Sequence, residues 1–273
     1  MKKQERGVSA VVAKRIRTRI ARRKRPHVLN NFPTAGQTAP RPVEIAVFDL
    51  DGTSISGESP VLLVRYLACK GMLSLATLSR IGCWAFAYKF QLPQKEESAR
   101  SLVFKAFEGM KVEEADAFMR EFYFRKVESR FRSQADAAMR EHAEAGRTVM
   151  VVSASFEPIV RAAMESHPIE YQASTRMAVA PDGTYTREVE GTPVEGVEKL
   201  NAVLSLANNL YGEGKWELAY AYGDHHSDKH LLNAATHAFA VTPDKPLARA
   251  AKRYGWEILD WSSSKDEGCH ENS

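Results

Sequence analysis

Short apolar segments alternate with helical segments along most of the chain, and this alternation limits the fold more than any other feature. Residues 44–48 (EIAVF), 148–152 (TVMVV) and 218–222 (LAYAY) are apolar or aromatic almost throughout, which is typical of buried strands. Amphipathic segments with helical periodicity separate them. This order predicts βαβ units, and hence an α/β fold with a doubly wound, mainly parallel sheet.

Three local predictions concern the segments around the second strand. An amphipathic helix is predicted over residues 128–145. A further helix is predicted over Phe156–Glu165, with Ser155 as its N-cap because serine is favoured at that position. Residues 169–190 alternate in polarity around the turn Pro181-Asp182-Gly183, which predicts a β-hairpin.

A helical block over residues 60–127 lies between the first two core strands. The block is too long for a crossover connection and too helical for a loop, so we interpret it as an inserted cap. The catalytic core then comprises residues 43–59 and 128–261. Residues 262–273 are interpreted as a flexible tail.

The N-terminal arm is strongly basic. Residues 1–26 contain eleven Lys and Arg and one acid, a net charge of +10, so the rest of the chain carries −6 of the total of +4. Like charges at this density repel one another and bury nothing, so residues 1–42 are predicted to be a disordered arm with a proline-containing linker. The alternative role for the arm is contact with an anionic membrane, whereas nucleic acid is not an expected partner.

Cysteine usage and hydropathy bear on location. The three cysteines form no CxxC pair, which fits a reducing cytoplasm. Residues 61–92 are apolar with basic interruptions, and no uncharged run reaches the roughly 18 residues that span a bilayer. We therefore expect a cytoplasmic protein, with peripheral membrane association as the alternative.

Polar residues follow the predicted strands, at the edge where open α/β sheets bind ligands. Asp49 and Asp51 come directly after the first strand, and side chains two residues apart project to the same side. One carboxylate can attack phosphorus, and the other can protonate the leaving oxygen. Gly52 has no side chain, so its amide can approach a phosphate oxygen.

The later strands are followed by residues with matching chemistry. The hydroxyl of Ser153 can donate to a phosphate oxygen, and Lys199 can neutralise the charge around it. Asp224 and Asp228 follow the strand at 218–222. Four acids beside a phosphate repel it and one another unless a hard cation lies among them, so the pattern predicts a Mg²⁺ site.

Taken in order, four motifs resemble those of the haloacid dehalogenase superfamily of phosphatases: DLDGT (49–53), VVSAS (151–155), EGVEK (195–199) and GDHHSD (223–228). The chain is most similar to subfamily IB, the phosphoserine-phosphatase-like branch, which carries a helical cap between its first two motifs. The resemblance covers about residues 43–261. It implies a Mg²⁺-dependent phosphomonoester hydrolase that acts through an aspartyl-phosphate intermediate.

The resemblance also implies a role for individual residues. Asp49 would be the nucleophile and a Mg²⁺ ligand, and Asp51 the general acid/base, with its backbone carbonyl on the metal. Asp224 would also bind the metal. Further residues would hold the phosphate or support the site: Gly52, Ser153, Ala154 and Lys199 at the phosphate, and Asp228 and Thr53 in support. Glu58 matches the position of a carboxylate that binds the substrate amine.

The expected substrate is a small metabolite phosphate such as phosphoserine or a related amine-bearing phosphate. Two features depart from phosphoserine phosphatases: Ala154-Ser155 stands where those enzymes have two glycines, and no residue is matched to their cap arginine. Two alternatives stay open. One is a lipid-phosphate phosphatase of the phosphatidylglycerophosphate type at a membrane surface, which the basic arm and residues 61–92 favour. The other is a phosphotransferase.

Overall fold

A six-stranded parallel sheet forms the centre of the computed structural model, which describes residues 41–89 and 96–262. The strands are Val43–Asp49 (β1), Thr148–Phe156 (β2), Tyr171–Thr175 (β3), Met177–Val179 (β4), Tyr185–Val189 (β5), Trp216–Gly223 (β6), His237–Val241 (β7) and Glu257–Leu259 (β8). The strand order in the six-stranded sheet is β3-β2-β1-β6-β7-β8. β4 and β5 form a separate antiparallel hairpin. The predicted mainly parallel α/β fold is thus confirmed. The predicted basic arm and tail lie almost entirely outside the described residues.

Helices occupy the connections between the strands. They are Ser59–Cys69 (α1), Leu75–Lys89 (α2), Glu96–Phe104 (α3), Val112–Phe122 (α4), Ser133–Glu144 (α5), Glu157–Ala163 (α6), Val197–Tyr211 (α7), Lys229–Ala234 (α8) and Lys245–Tyr254 (α9). A π-helical turn at Tyr123–Val127 and a 3₁₀ turn at Glu128–Arg130 connect α4 to α5. Within the described residues, no helix combines the length and apolar character needed to cross a bilayer.

Helices cover both faces of the sheet. Because successive side chains of β1 point to opposite faces, they belong to two different hydrophobic clusters. Ala46 and Phe48 belong to a hydrophobic cluster that includes buried residues of α1, α4, α5 and α6. Ile45 and Val47 belong to a second cluster with residues of α7, α8 and α9. This arrangement is the doubly wound architecture that the alternation of strands and helices predicts.

The helices between β1 and β2 share the first cluster with the sheet. Leu67, Met119 and Phe122 are fully buried in it. The β4–β5 hairpin contacts the loop between α3 and α4: the Gly109 amide donates to the Tyr185 carbonyl at 2.9 Å, and the Tyr185 amide donates to the Met110 carbonyl at 2.9 Å. The division of the chain into a core and a cap stays a prediction.

The structure corrects the predicted end of the second strand. β2 continues to Phe156, which pairs with Thr175 of β3, so α6 begins only at Glu157. Ser155 is therefore a strand residue and not the helix N-cap, which is Phe156 and has no side-chain cap. The extended backbone persists because β3 supplies a pairing partner that the sequence around Ser155 does not reveal.

The structure also corrects the predicted hairpin and helix start. Tyr171–Thr175 pairs in parallel with β2 as an edge strand of the main sheet, and only β4 and β5 form the hairpin. Alternating polarity fits both arrangements, because an edge strand and a hairpin strand each bury one side. The helix predicted from residue 128 begins at Ser133, after Phe131 has formed a bridge to Ile55.

Candidate active site

The candidate site lies where the direction of the strand order changes. β2 is on one side of β1 and β6 is on the other, and open α/β sheets bind ligands in the crevice at such a point. Asp49 is the last residue of β1, and Asp224 follows the last residue of β6. The fold thus brings together two segments that are far apart in the sequence.

Three carboxylates meet in this crevice. One oxygen from each of Asp49, Asp224 and Asp228 lies within 4.8 Å of the other two. Burial raises the pKa of Asp49 well above its ordinary value; Lys199 opposes the rise, and the other two acids add to it. Burial, followed by the charge of Asp228, raises the pKa of Asp224 to about 6. Oxygen ligands this close, each disfavoured as an anion by the others, fit a hard divalent cation such as Mg²⁺.

Lys199 is the cation that the chain itself places among these acids. Its Nζ donates to Asp49 Oδ1 at 2.7 Å and to Asp228 Oδ1 at 2.6 Å. Burial acts to lower the pKa of Lys199, but the two carboxylates outweigh burial and raise it, so the ammonium stays charged. One ammonium compensates one of three carboxylate charges, which leaves the site able to attract a further cation.

The loop after β1 touches the loop after β6. The Thr53 hydroxyl donates to Asp224 Oδ1 at 3.0 Å. Gly52 has φ +76°, and a Cβ added there would lie 2.1 Å from Asp224 Oδ2. Glycine is required here for its backbone conformation and for the close approach of Asp224. The Gly52 amide donates to the Gly57 carbonyl at 3.1 Å, so its predicted contact with phosphate stays untested.

Asp51 does not join the group of three carboxylates. It accepts hydrogen bonds from the Ser59 amide at 2.5 Å and from the Ser155 hydroxyl. Burial raises the pKa of the Asp51 carboxyl, and these bonds oppose the rise. Its side chain is thus held apart from the candidate metal site, and the predicted metal contact through its carbonyl stays a prediction.

The motif at the end of β2 lies beside β1, where Val152 is the register partner of Asp49. Ser153 is fully buried, and its Oγ accepts a hydrogen bond from the Ser155 amide at 3.0 Å. Its hydroxyl proton therefore stays free to donate to a ligand. Ala154 is half-buried at the same strand end.

Glu58 is the residue before α1 and makes no side-chain cap to that helix. Its side chain is exposed, yet partial loss of solvation is the largest influence on its carboxyl and raises the pKa to about 7. Asp51 and Asp224 add to the rise, which shows that Glu58 is near the site. Its predicted contact with a substrate amine stays untested.

Two arginines that contact motif segments of the site were not found from the sequence. Arg100 of α3 binds Glu195, four residues before Lys199, through Nη2 at 2.6 Å, and its buried Nη1 has no partner among the described residues. Arg132 donates from Nη2 to the Gly52 carbonyl at 3.2 Å and from Nη1 to the Trp261 carbonyl. Neither arginine lies in a recognisable motif, so only the fold reveals its position.

The sequence model for haloacid dehalogenase-like hydrolases matches residues 46–233. The chain belongs to this family. A probable phosphatase of Mycobacterium tuberculosis is 31% identical over 232 residues, which are 84% of this chain and 79% of that protein. A phosphoserine phosphatase of the same bacterium is 29% identical, covering 83% and 75%, and a histidinol-phosphatase of Neisseria meningitidis is 28% identical, covering 80% and 98%. The protein is thus a phosphoric monoester hydrolase of the haloacid dehalogenase family.

Solved structures share the fold of this chain. A Bordetella pertussis protein of unknown function matches with a TM-score of 0.72 and 25% identity, over 81% of this chain and 99% of the other. A substrate-bound phosphoserine phosphatase matches with a TM-score of 0.55 over 81% of this chain and 94% of the other. At 19% identity, that second match shows a shared fold.

Proposed function

We propose that the protein is a Mg²⁺-dependent phosphomonoesterase in which Asp49 becomes phosphorylated. The observation that carries the proposal is the position of Lys199, whose ammonium lies between Asp49 and Asp228 beside the third acid, Asp224. A nucleophilic carboxylate, a fixed cation and a group of oxygen ligands are the parts that phosphoryl transfer to an aspartate requires.

The residues around the phosphate have complementary tasks. Asp49 Oδ attacks phosphorus as the ester bond breaks, forming an aspartyl-phosphate and releasing the alcohol. The Lys199 ammonium offsets the negative charge of the phosphoryl oxygens, and the Ser153 hydroxyl donates to one of them. Mg²⁺, held by Asp49 and Asp224 with Asp228 in support, would supply the remaining charge neutralisation.

Asp51 acts as the general acid and then as the general base. It donates a proton to the ester oxygen as that oxygen leaves, and it then takes a proton from the water that attacks the phosphorus of the aspartyl-phosphate. The products are the alcohol and inorganic phosphate, and Asp49 and Asp51 return to their starting forms. The raised pKa of Asp51, which results mainly from burial, favours the protonated form needed for the first step.

The proposed substrate is a small phosphate ester that carries an amine. Glu58 provides a carboxylate near Asp51 and Asp224. Arg100 binds Glu195 of the EGVEK motif, and its buried Nη1, which has no partner among the described residues, suits an anionic group such as a carboxylate. Two relatives are named for phosphoserine and histidinol phosphate, which are both amine-bearing phosphates. These features support an amine-bearing phosphate as the substrate class.

The test is release of inorganic phosphate from phosphoserine, histidinol phosphate, phosphoethanolamine and p-nitrophenyl phosphate, with Mg²⁺ and with EDTA. We expect Mg²⁺-dependent release, and a loss of at least about 10³-fold in Asp49→Asn. Borohydride reduction during turnover, followed by peptide mass spectrometry, should mark Asp49 as the phosphorylated residue. Full activity of Asp49→Asn, or activity that is unaffected by EDTA, would overturn the proposal.

A lipid phosphate is the second candidate substrate, because the helices between β1 and β2 expose apolar side chains. Leu75 at the start of α2 is 85% exposed, and Val61 of α1 is 49% exposed. Exposed arginines at positions 65 and 80 lie on the same two helices. Flotation with vesicles that contain phosphatidylglycerol tests this candidate, and Leu75→Ser should reduce flotation if α2 contacts lipid. Absence of flotation would remove it.

A further inference from the structure

We propose that Ser155 is a positioning residue for the general acid Asp51, and that its hydroxyl is required for esters with strongly basic leaving groups. The inference rests on the proposed function, because it assumes that Asp51 protonates the leaving oxygen. It concerns a residue whose sequence context predicted only a helix cap. The structure instead places Ser155 inside the strand that borders the site.

Ser155 and Ser59 hold both oxygens of the Asp51 carboxyl. The Ser155 hydroxyl donates to Oδ2, and the Ser59 amide donates to Oδ1 at 2.5 Å. The two serine hydroxyls are 2.8 Å apart. Because Ser155 gives its only proton to Asp51, the Ser59 hydroxyl is the donor between the two serines. Ser59 is fully buried and Ser155 is 3% exposed, so water does not compete for these bonds.

The course of β2 explains why one strand end serves both the phosphate and the leaving group. Ser153 and Ser155 both lie in β2, and the register of β2 with β3 shifts between Ser153 and Phe156, so a bulge at Ala154 and Ser155 bends the strand there. Ser153 lies beside the strand that ends at Asp49, whereas Ser155 reaches Asp51. The same strand end therefore supplies one hydroxyl beside the strand of the nucleophile and a second hydroxyl that contacts the general acid.

A hydroxyl suits this position better than any apolar group of similar size. It donates to Oδ2 and so fixes the orientation of the Asp51 carboxyl, which leaves the other oxygen to face the leaving group. Alanine would leave Oδ2 without its partner and the carboxyl held by the Ser59 amide alone. A proton donor that is misplaced by about 1 Å loses much of its effect on the barrier.

A comparison of substrates with different leaving groups distinguishes a role of Ser155 in positioning the acid from a merely structural role. An alkoxide is a strong base, so it must be protonated as it departs, whereas p-nitrophenolate leaves without a proton. Departure occurs during phosphorylation of Asp49, which kcat/KM reports. The later attack by water is common to all substrates and affects kcat alone. The ratio of kcat/KM for an alkyl ester to that for p-nitrophenyl phosphate therefore measures how much protonation by Asp51 accelerates departure of the alkoxide.

The experiment compares wild type, Ser155→Ala, Ser155→Cys and Ser155→Thr on two substrates. One is p-nitrophenyl phosphate, and the other is the alkyl phosphate from the panel above on which wild type is most active. For Ser155→Ala we expect kcat/KM to fall about 30-fold on the alkyl ester and less than about threefold on the aryl ester. Threonine keeps the hydroxyl and should restore most of the alkyl activity, whereas cysteine, a weak donor of similar size, should fall between.

Ser174→Ala is the matched control. Ser174 is a buried serine of β3 whose hydroxyl donates to Gln172 and not to Asp51, so both kcat/KM values should stay near wild type. Equal losses on the two substrates in Ser155→Ala, or no loss on either, would overturn the inference. Thermal melting establishes that each variant folds, and Ser155→Thr and Ser155→Cys decide the question if the alanine variant does not.

Failure of the proposed function has a different signature. Asp51→Asn should show the same bias against the alkyl ester as Ser155→Ala, but more strongly. If Asp51→Asn shows no bias, the assignment of Asp51 as the acid is wrong. If Asp51→Asn shows the bias and Ser155→Ala does not, only the role of Ser155 is wrong.

Discussion

The Lys199 ammonium lies 2.7 Å from Asp49 Oδ1, although 150 positions separate the two residues in the sequence. Both side chains are almost fully buried, at 6% and 5% exposed. The same ammonium reaches Asp228, which is not exposed at all. A buried charge is tolerated only while its partner is present, so this contact links the stability of the fold to the chemistry of the site.

Replacing Lys199 by Met should therefore be strongly destabilising. The change leaves Asp49 and Asp228 buried without a cation, and breaking a buried pair in this way costs about 3–5 kcal/mol of unfolding free energy. Urea unfolding in EDTA measures the loss. Lys215→Met alters an exposed lysine and should change stability by less than about 0.5 kcal/mol. Similar effects of the two substitutions would show that the buried contact contributes little.

Gly52→Ala should abolish most of the activity because the new side chain displaces the Asp224 carboxylate. A Cβ at this position meets Asp224 Oδ2 at 2.1 Å, so that carboxylate must move away from the other acids. Gly146→Ala is a matched control, because its φ of +75° is nearly the same and a Cβ there meets nothing within 4 Å. Both variants should lose about 1 kcal/mol from backbone strain, but only Gly52→Ala should lose most Mg²⁺-dependent phosphatase activity. Equal activity in the two variants would exclude steric displacement of Asp224.

Mg²⁺ should raise the melting temperature of the wild-type protein. A ligand that binds only the folded state at about 100 times its Kd adds about 2.7 kcal/mol, or roughly 5–10 °C for a domain of this size. Asp224→Asn removes one candidate ligand and one repelling charge, so it should abolish most of the shift without lowering the melting temperature in EDTA. Glu213→Gln, a change at an exposed loop, should keep the shift. Scanning calorimetry with and without Mg²⁺ makes the comparison.

The sequence predicts the sheet and the acids well because both depend on local patterns. Apolar strands such as residues 148–152 are recognisable without knowledge of their neighbours, and the carboxyl ends of parallel strands must share one edge of the sheet. It follows that Asp49 and Asp224 meet once the strands are parallel and adjacent. The structure adds that their loops touch through Thr53.

The features that escape prediction depend on non-local partners. Ser155 has the residue type and position of an N-cap, and the pairing of Phe156 with Thr175 of β3 is what continues the strand past it. Tyr171–Thr175 alternates as a hairpin strand would, and only its register with β2 assigns it to the main sheet. Nothing in the sequence distinguishes Arg100 from other arginines in polar helices, and only the fold shows that it binds Glu195. In each case the contact that determines the local structure joins two separate segments of the sequence, so neither segment predicts it alone.

The buried side chain of His142 lies away from the candidate site, and its surroundings lower its pKa. It packs against Phe48 and Tyr220, with ring centroids 5.9 and 4.5 Å away. The Arg147 guanidinium, which can only donate, lies 3.2 Å from Nδ1, so Nδ1 accepts and the ring proton is on Nε2. Nε2 then donates to the Tyr222 hydroxyl at 3.0 Å. Burial, followed by the charge of Arg147, lowers the pKa of His142 to about 4.

The lowered pKa predicts that acid destabilises the fold through His142. Between about pH 6.5 and 4 the unfolded chain binds a proton that the folded chain resists, so the unfolding free energy falls as pH falls through this window. One such group contributes a loss of about 2 kcal/mol between pH 7 and pH 5. His142→Gln can still donate to Tyr222 but does not titrate, so its urea unfolding free energy should fall by about 2 kcal/mol less than that of wild type over the same range. His230→Gln changes an exposed histidine and should keep the wild-type slope. Equal slopes in wild type and His142→Gln would mean that the His142 ring has the same pKa in the folded and the unfolded chain, which would contradict the prediction.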